Sequence, residues 1–375
     1  MTLTQASNTF KNVIRFGWLI MFLPLIVVII YRIVISSGPT TPTDPTQLTF
    51  NAGFGKLPEL VIETQDTQSS TPQFALDLVD AQFPANPGIA KVYAVISAPY
   101  GFLSQDRAKE LGTKLNFSSD PTIIDNTIME WSDRLRTLRM NISNLSFDYS
   151  FNYRLDPSVF GLNVFTSEQL AINQAIGILE NLEIYDGSLG PTLASGEQTS
   201  QKLRYTGTEV VDSSTLFNTG AIRVDFFRPP IEQIPVVEPT YYQSNISITM
   251  SSKQNQPSIN YFPRILDLQY AYWKHNATRF GTYPVINPSD AYEMFAQTPE
   301  DYLVFLGEES NPLLLYDEPV ETYTVREVEF GYYNSKTPIQ YLQPVWVFKG
   351  RARIESTTQA EFVAYVSAIR SDWLE

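Results

Sequence analysis

The stretch LSFDYSFNYR at residues 145–154 indicates the fold class, because its side chains alternate between apolar and polar along the chain. The apolar positions are Leu145, Phe147, Tyr149, Phe151 and Tyr153. Alternation with a period of two is the signal of a β-strand that has one buried and one exposed face. The run at 137–142 alternates in the same way. Since the polar Ser143-Asn144 pair separates the two runs, we predict a hairpin.

The same alternation recurs through most of the chain after residue 50, and three helices interrupt it. Each helix has a start signal: Ser104 as a cap, Thr166 with Gln169 as a capping box, and Asn287 before Pro288. In the third helix, the apolar stripe should consist of Ala291, Met294 and Phe295. The other strand-like runs are Phe74–Leu78, Val92–Ile96, Ile222–Phe226, Ile246–Met250, Leu266–Tyr272, Val325–Tyr332, Pro344–Phe348 and Phe362–Val366.

A helix followed by strands therefore occurs three times, which predicts repeated units. The boundaries indicate a first α+β module at 51–160, a second at 161–280 and a C-terminal module at 281–375. Runs of strands next to separate helices are typical of α+β folds, in which helices lie on antiparallel sheets.

The N-terminal region predicts a membrane anchor. Residues 16–31 carry no charge, and the apolar character extends over 13–35, which is long enough for a transmembrane helix. Lys11 and Arg15 precede the uncharged residues 16–31, so the tail at 1–12 should be cytoplasmic and the C-terminal part outside the cell membrane. A cleaved signal peptide is the alternative. The Pro/Thr-rich residues 36–50 should form an extended linker. The expected fold is thus one transmembrane helix in the lipid bilayer, followed by repeated helix-on-antiparallel-sheet modules.

Composition excludes several classes of function. The formal net charge of −14 disfavours nucleic-acid binding, because an acidic surface repels phosphates. The chain has no cysteine, which rules out disulfides, thiolate nucleophiles and cysteine-ligated metals.

The C-terminal region resembles a known module. INPSDAYEMFAQ, TVREVEFGYYNSK, YLQPVWVFKGRARI and EFVAYVSAI follow one another between residues 286 and 369. This order of a helix and three strands resembles the PepSY-type module. An anchor followed by repeated modules is also similar to single-pass accessory regulators of a bacterial sensor histidine kinase, and to uncharacterised anchored bacterial proteins. The resemblance implies a regulatory protein without catalytic residues.

The reactive residues of the sequence also favour a protein without catalysis. His275 is the single histidine, so it cannot form a histidine metal site, and no nucleophile elbow or phosphate-binding loop accompanies it. We therefore predict no catalytic, metal or cofactor site. Paired carboxylates leave one alternative open, a cell-wall glycan hydrolase. Its candidate residues are Asp225, Asp267, Glu327 and Glu329, although alternation places the two glutamates on a solvated strand face.

Aromatic residues supply the candidate partner-binding positions, although aromatic side chains in strands are also common in sheet cores. We expect a membrane-anchored extracytoplasmic protein that binds and regulates, without catalysis, a protein or peptide partner in the cell envelope. The candidate positions are Phe226, Phe227, Arg228, Tyr272, Trp273, Trp346 and Phe348.

Overall fold

Strands make up most of the regular structure in the computed structural model, which describes residues 49–96, 103–160, 165–192, 199–252, 265–308, 311–357 and 360–375. Residues Phe50–Glu375 form one compact unit. The helices are α1 (Ser104–Lys114), α2 (Glu168–Asn181) and α3 (Pro288–Gln297). The strands are β1 (Gln73–Leu76), β2 (Ile89–Val95), β3 (Thr122–Ile123), β4 (Ile128–Ser132), β5 (Arg136–Asn141), β6 (Ser146–Phe151), β7 (Ser200–Tyr205), β8 (Val210–Asp212), β9 (Ala221–Asp225), β10 (Val236–Val237), β11 (Ile246–Ser251), β12 (Ile265–Tyr270), β13 (His275–Pro284), β14 (Leu303–Glu308), β15 (Asn311–Leu315), β16 (Val320–Tyr333), β17 (Tyr341–Leu342), β18 (Pro344–Ile354) and β19 (Ala360–Ser367).

The first sheet has nine strands in the order β3-β4-β5-β6-β12-β11-β9-β7-β8. Its pairings are antiparallel, and the predicted hairpin is confirmed as β5 and β6. Phe147 and Tyr149 are buried in its core, while Asp148 and Ser150 between them are exposed. The apolar face of the sheet packs on α1 and α2, as alternation with one buried face requires.

The second sheet has seven strands, with the path β1-β16-β18-β19-β14-β15 and β10 also on β16. One face, which contains Trp346 and Phe348, packs against Phe295 of α3. The other face packs against Val237 of β10 and against Tyr241 in the segment that follows β10. Apolar side chains on both faces of β18 therefore have cover from within the chain. A third sheet, β13-β2-β17, has three strands.

The three predicted helices are confirmed, but details of their ends differ. Ser167 rather than Thr166 caps α2, since its hydroxyl oxygen accepts a hydrogen bond from the Leu170 N–H at 3.1 Å. Ser104 is the first residue of α1 instead of its cap, and it is buried. In α3, Phe295 is fully buried whereas Met294 is 40% exposed, so the predicted stripe is wrong at Met294.

The predicted fold class is wrong as a whole. The described chain is mostly β-sheet, and its sheets draw strands from distant parts of the sequence, so they do not repeat one α+β module. For example, β1 pairs with β16, and β2 with β13. The transmembrane helix expected at 13–35 lies outside the described residues. None of the helices within them is long and apolar enough to cross a membrane.

Candidate functional site

Most of the predicted partner-binding aromatics are buried, and Phe226, Trp346 and Phe348 belong to the cores of the two large sheets. Phe226, Phe227, Trp273, Trp346 and Phe348 are all at most 4% exposed. The Trp346 indole N–H donates to the Ile286 carbonyl oxygen at 3.1 Å, and the Phe348 ring stacks on Phe295. The Trp273 indole N–H donates to the Ser335 carbonyl oxygen at 2.7 Å. These five side chains do not form a groove that a partner could enter.

The remaining two predicted residues, Arg228 and Tyr272, lie together in a buried polar region. The guanidinium of Arg228 is 5.4 Å from the Tyr272 ring centroid. It donates to Asn334 Oδ1 at 3.1 Å and contacts His275 Nδ1 at 2.9 Å. A guanidinium has only donors, so His275 Nδ1 must accept and the imidazole must be neutral. Burial first, and then the charges of Arg228 and Lys274, lower the His275 pKa.

Glu238 extends this region inward. It is 1% exposed, and both carboxyl oxygens accept hydrogen bonds from Asn334 Nδ2 at 2.9 Å. Asn245 donates from Nδ2 to the Asn334 carbonyl oxygen at 2.9 Å. Burial raises the Glu238 pKa to about 7, against the opposing effects of Asn334 and Arg228. We call Arg228, Glu238, Asn245, His275 and Asn334 the polar seam.

The polar seam joins the sheets, and all of its residues are buried except His275, which is half-buried. Asn245 precedes β11 of the nine-stranded sheet, Asn334 follows β16 of the seven-stranded sheet, and His275 begins β13 of the third. Buried polar groups of this kind are stable only when they are mutually hydrogen-bonded. The polar seam therefore fixes how the sheets meet.

An open cleft with a volume of about 530 Å³ lies on the outer face of the seven-stranded sheet. Its floor comes from β16, β18 and β19, and its wall comes from the segment around β10. Most side chains of the floor are charged, whereas the wall consists mainly of proline and tyrosine side chains. The lining residues are Pro230, Gln233, Pro235, Tyr241, Tyr242, Arg326, Glu327, Glu329, Lys349, Gly350, Arg351, Glu361 and Phe362.

Two glutamates share one lysine in the floor of the cleft. Lys349 Nζ is 2.8 Å from Glu327 Oε2 and 3.1 Å from Glu329 Oε2, and it donates to the Tyr241 hydroxyl oxygen at 3.3 Å. The side chains of Glu327 and Glu329 are 53% and 33% exposed, against 16% for Lys349. The cleft thus presents two solvent-accessible carboxylates with one ammonium between them.

The titration behaviour of this group follows from its packing. Burial, and then the neighbouring Glu327, raise the Glu329 pKa. Burial alone would lower the pKa of Lys349, but Tyr241 and both glutamates more than offset it, so the Lys349 pKa is raised. A lysine held protonated is a poor nucleophile or general base, so the group is suited to holding charge.

The other candidate carboxylates lie away from the cleft. Asp225 is buried and receives two hydrogen bonds from Arg223, from Nε and Nη2, each at 2.8 Å. Burial raises the Asp267 pKa, and the positive charge of Arg223 opposes that rise. Both aspartates lie on strands of the nine-stranded sheet, where Asp225 is buried and Asp267 is half-buried.

One edge of β16 borders the cleft and is only partly paired. β1 pairs with residues 322–325 of β16, and β10 pairs with residues 332–333, both in parallel. Within the described residues, no strand pairs with this edge at residues 326–331. The register with β18 also shifts between Val325 and Glu327. We call residues 326–331 along this edge the β16 gap.

The cleft was not predicted, although the sequence contains part of its signal. The alternation in VREVEF correctly places Glu327 and Glu329 on one face, opposite to Val328. A strand pattern does not show which distant segment covers that face. Tyr241 and Tyr242 come from far earlier in the chain, so the wall was not predictable.

Comparison with known proteins identifies no family. No family model matches the chain, and no curated protein matches it. A similar solved structure is that of an uncharacterized protein from Eubacterium rectale ATCC 33656, with 14% sequence identity and a TM-score of 0.36. The match covers 77% of this chain and 85% of that protein. At this level of similarity it gives no information on function.

Proposed function

We propose that this protein is a non-catalytic binding protein that engages a protein or peptide partner through the cleft. The observation that carries the proposal is the combination of a tyrosine and proline wall with a charged, solvent-accessible floor. Tyrosine is enriched where proteins bind one another, because it offers apolar area and a polar end at low entropic cost. The partner that we propose is a protein or peptide of the cell envelope, as the sequence suggests.

A glycan hydrolase is the alternative, and the arrangement of carboxylates argues against it. A glycosidase needs two carboxyl groups that flank the scissile bond, one to protonate the leaving group. Glu327 and Glu329 instead lie two residues apart on the same strand face, and both contact the ammonium of Lys349. That shared contact favours a charge-holding role over separate acid and nucleophile roles.

Selection from a random peptide display library against the full chain tests the proposal. Wild-type protein should enrich peptides whose binding falls about tenfold or more in Tyr242→Ala, because that change removes aromatic surface from the wall. Phe217→Ala is the matched control, since Phe217 is 81% exposed and does not line the cleft. Peptides that bind both variants as well as wild type would refute the cleft as the binding site.

A second variant guards against a change in the fold. Arg351 is exposed on the floor, so Arg351→Ser changes the cleft surface without cutting into the wall. Arg279 is also exposed and lies on β13, away from the cleft, so Arg279→Ser is its control. Unchanged peptide binding in both cleft variants, with native thermal unfolding, would exclude the proposed function.

A further inference from the structure

Alternate backbone groups of the β16 gap point to the edge on which β1 and β10 lie. The Tyr332 N–H donates to the Pro235 carbonyl oxygen on this edge at 2.8 Å, whereas the Tyr333 N–H donates to Gln343 on the opposite side at 3.0 Å. Backbone groups alternate sides along a strand, so those of Val328 and Phe330 point to the same edge as those of Tyr332. An unpaired strand edge is a template for another strand.

The neighbouring strands define the length and direction of a segment that would fit. β1 ends at Leu76, opposite Val325, and β10 begins at Val236, opposite Tyr332. Both run parallel to β16, and the β16 gap between them spans roughly 20 Å. An extended peptide of about five residues would bridge that distance and continue the line of the two strands.

The charges beside the gap favour a basic side chain on that peptide. Glu327 and Glu329 have only Lys349 as a cationic ion-pair partner among the described residues, so two carboxylates face one ammonium. A carboxylate has room for several donors, and both glutamates keep part of their surface exposed. The net charge of −14 also favours the approach of a cation over long distances.

Two arginines limit how much positive charge the site accepts. Arg326 and Arg351 also line the cleft, and Arg351 is exposed. A polybasic segment would therefore meet repulsion next to the glutamates. One basic residue within an otherwise neutral strand matches the arrangement better.

We propose that the partner adds an extended segment to the β16 gap as a strand and directs one lysine or arginine side chain to Glu327 and Glu329. This inference rests on the proposed function and specifies its ligand. Backbone hydrogen bonds along the edge supply affinity, and the glutamate pair supplies selectivity.

Labelled pentapeptides provide the test, measured by fluorescence polarisation with the full chain. The probes are acetylated and amidated Thr-Val-Arg-Val-Thr and the same sequence with a central Gln or Glu. The Arg peptide should bind about tenfold more tightly than the Glu peptide, because it alone can pair with the carboxylates. Two further forms of the Arg peptide carry N-methyl groups, one on its two valine nitrogens and the other on its remaining backbone nitrogens. One of these two forms should not bind, since only one set of N–H groups can donate to β16.

Matched variants separate the glutamate pair from general electrostatic attraction. Glu327→Gln with Glu329→Gln should remove the preference for Arg. Glu293→Gln with Glu300→Gln makes the same charge change at exposed positions in and just after α3, on the opposite face of the sheet, and should retain the preference. Equal losses in both double variants would overturn the inference.

Other results distinguish this inference from the proposed function. Peptide binding that depends on Tyr242 but not on the central charge of the peptide would contradict strand addition to the β16 gap, and so would binding that persists with both N-methylation patterns. Under either result the cleft would remain a binding site. Light scattering and crosslinking of the protein alone check two further occupants. A second copy, or a segment of this chain, found on β16 would exclude a partner peptide there.

Discussion

Arg228 and His275 are joined by a hydrogen bond that exists only while the imidazole is neutral. Arg228 Nη2 lies 2.9 Å from His275 Nδ1, and the arginine can only donate. Protonation of His275 would place two cations in contact inside the protein. The bond therefore makes this part of the polar seam sensitive to acid.

The pKa of His275 should lie below its ordinary value of 6.5. Because the folded-state pKa is lowered, the stabilising contribution is full above the unfolded pKa and is lost as the pH falls from about 6.5 through the folded value. The chain has one histidine, so its Hε1 proton signal in an NMR titration needs no assignment by mutation. A pKa at or above 6.5 would contradict the contact with Arg228.

The unfolding free energy of Glu238→Gln should increase relative to that of wild type as the pH rises. The folded-state pKa of Glu238 is raised from 4.5 to about 7, so its contribution is present below pH 4.5 and lost through about pH 7. Glutamine mimics the protonated acid at every pH. Between pH 5 and pH 8, the difference in unfolding free energy between variant and wild type should shift by on the order of 3 kcal/mol in favour of the variant. Urea unfolding measures this difference, and a difference that is the same at the two pH values would contradict the prediction.

Trp346→Ala should destabilise the fold, because the side chain is fully buried between β18 and α3. Loss of its packing, and of the hydrogen bond to the Ile286 carbonyl oxygen, should cost about 3–5 kcal/mol of unfolding free energy. Phe217→Ala removes an aromatic side chain that is 81% exposed and should change stability little. An unchanged melting temperature for Trp346→Ala, with partner binding lost, would instead identify Trp346 as an interface residue.

Two helical glycines should respond in opposite directions to the same substitution. A Cβ atom at Gly112 in α1 would lie 2.9 Å from Trp131 Cε2, so Gly112→Ala should destabilise by about 1–3 kcal/mol. A Cβ atom at Gly177 in α2 has no neighbour within 4 Å. Gly177→Ala should therefore stabilise by about 0.5–1 kcal/mol through helix propensity. Denaturant unfolding of both variants measures the contrast, and destabilisation by both would contradict the packing of α2.

Local elements were predictable because their signals lie within a few residues. Alternation located the strands around Phe147 and Glu329, and start signals located all three helices. The pairing of those strands was not predictable, since β1 meets β16 and β2 meets β13 although each pair is far apart in the sequence. A period of two fixes which face a side chain occupies, but not which sheet the strand joins.

The residues of the candidate site were likewise predictable only where the signal is local. Alternation along β18 puts Trp346 and Phe348 on one side of the strand and Val345 and Val347 on the other, but the sequence could not show that both sides are covered. The burial of Arg228 and Glu238 also carries no local signal, because their partner Asn334 lies after β16, about 100 residues away in the sequence. Long-range contacts, rather than local propensity, determine which polar residues are buried.

The pairing of β2 with β13 has a consequence for how the chain folds. All strands of the nine-stranded sheet lie between these two in sequence, so that sheet closes comparatively short loops and can form as an early cooperative unit. β1, in contrast, must wait for β16, which leaves the ribosome far later. Until β16 has been synthesised, the edge of β1 and the apolar residues beneath it remain available for misassociation. Slow synthesis between β13 and β16 should therefore increase aggregation of nascent chains.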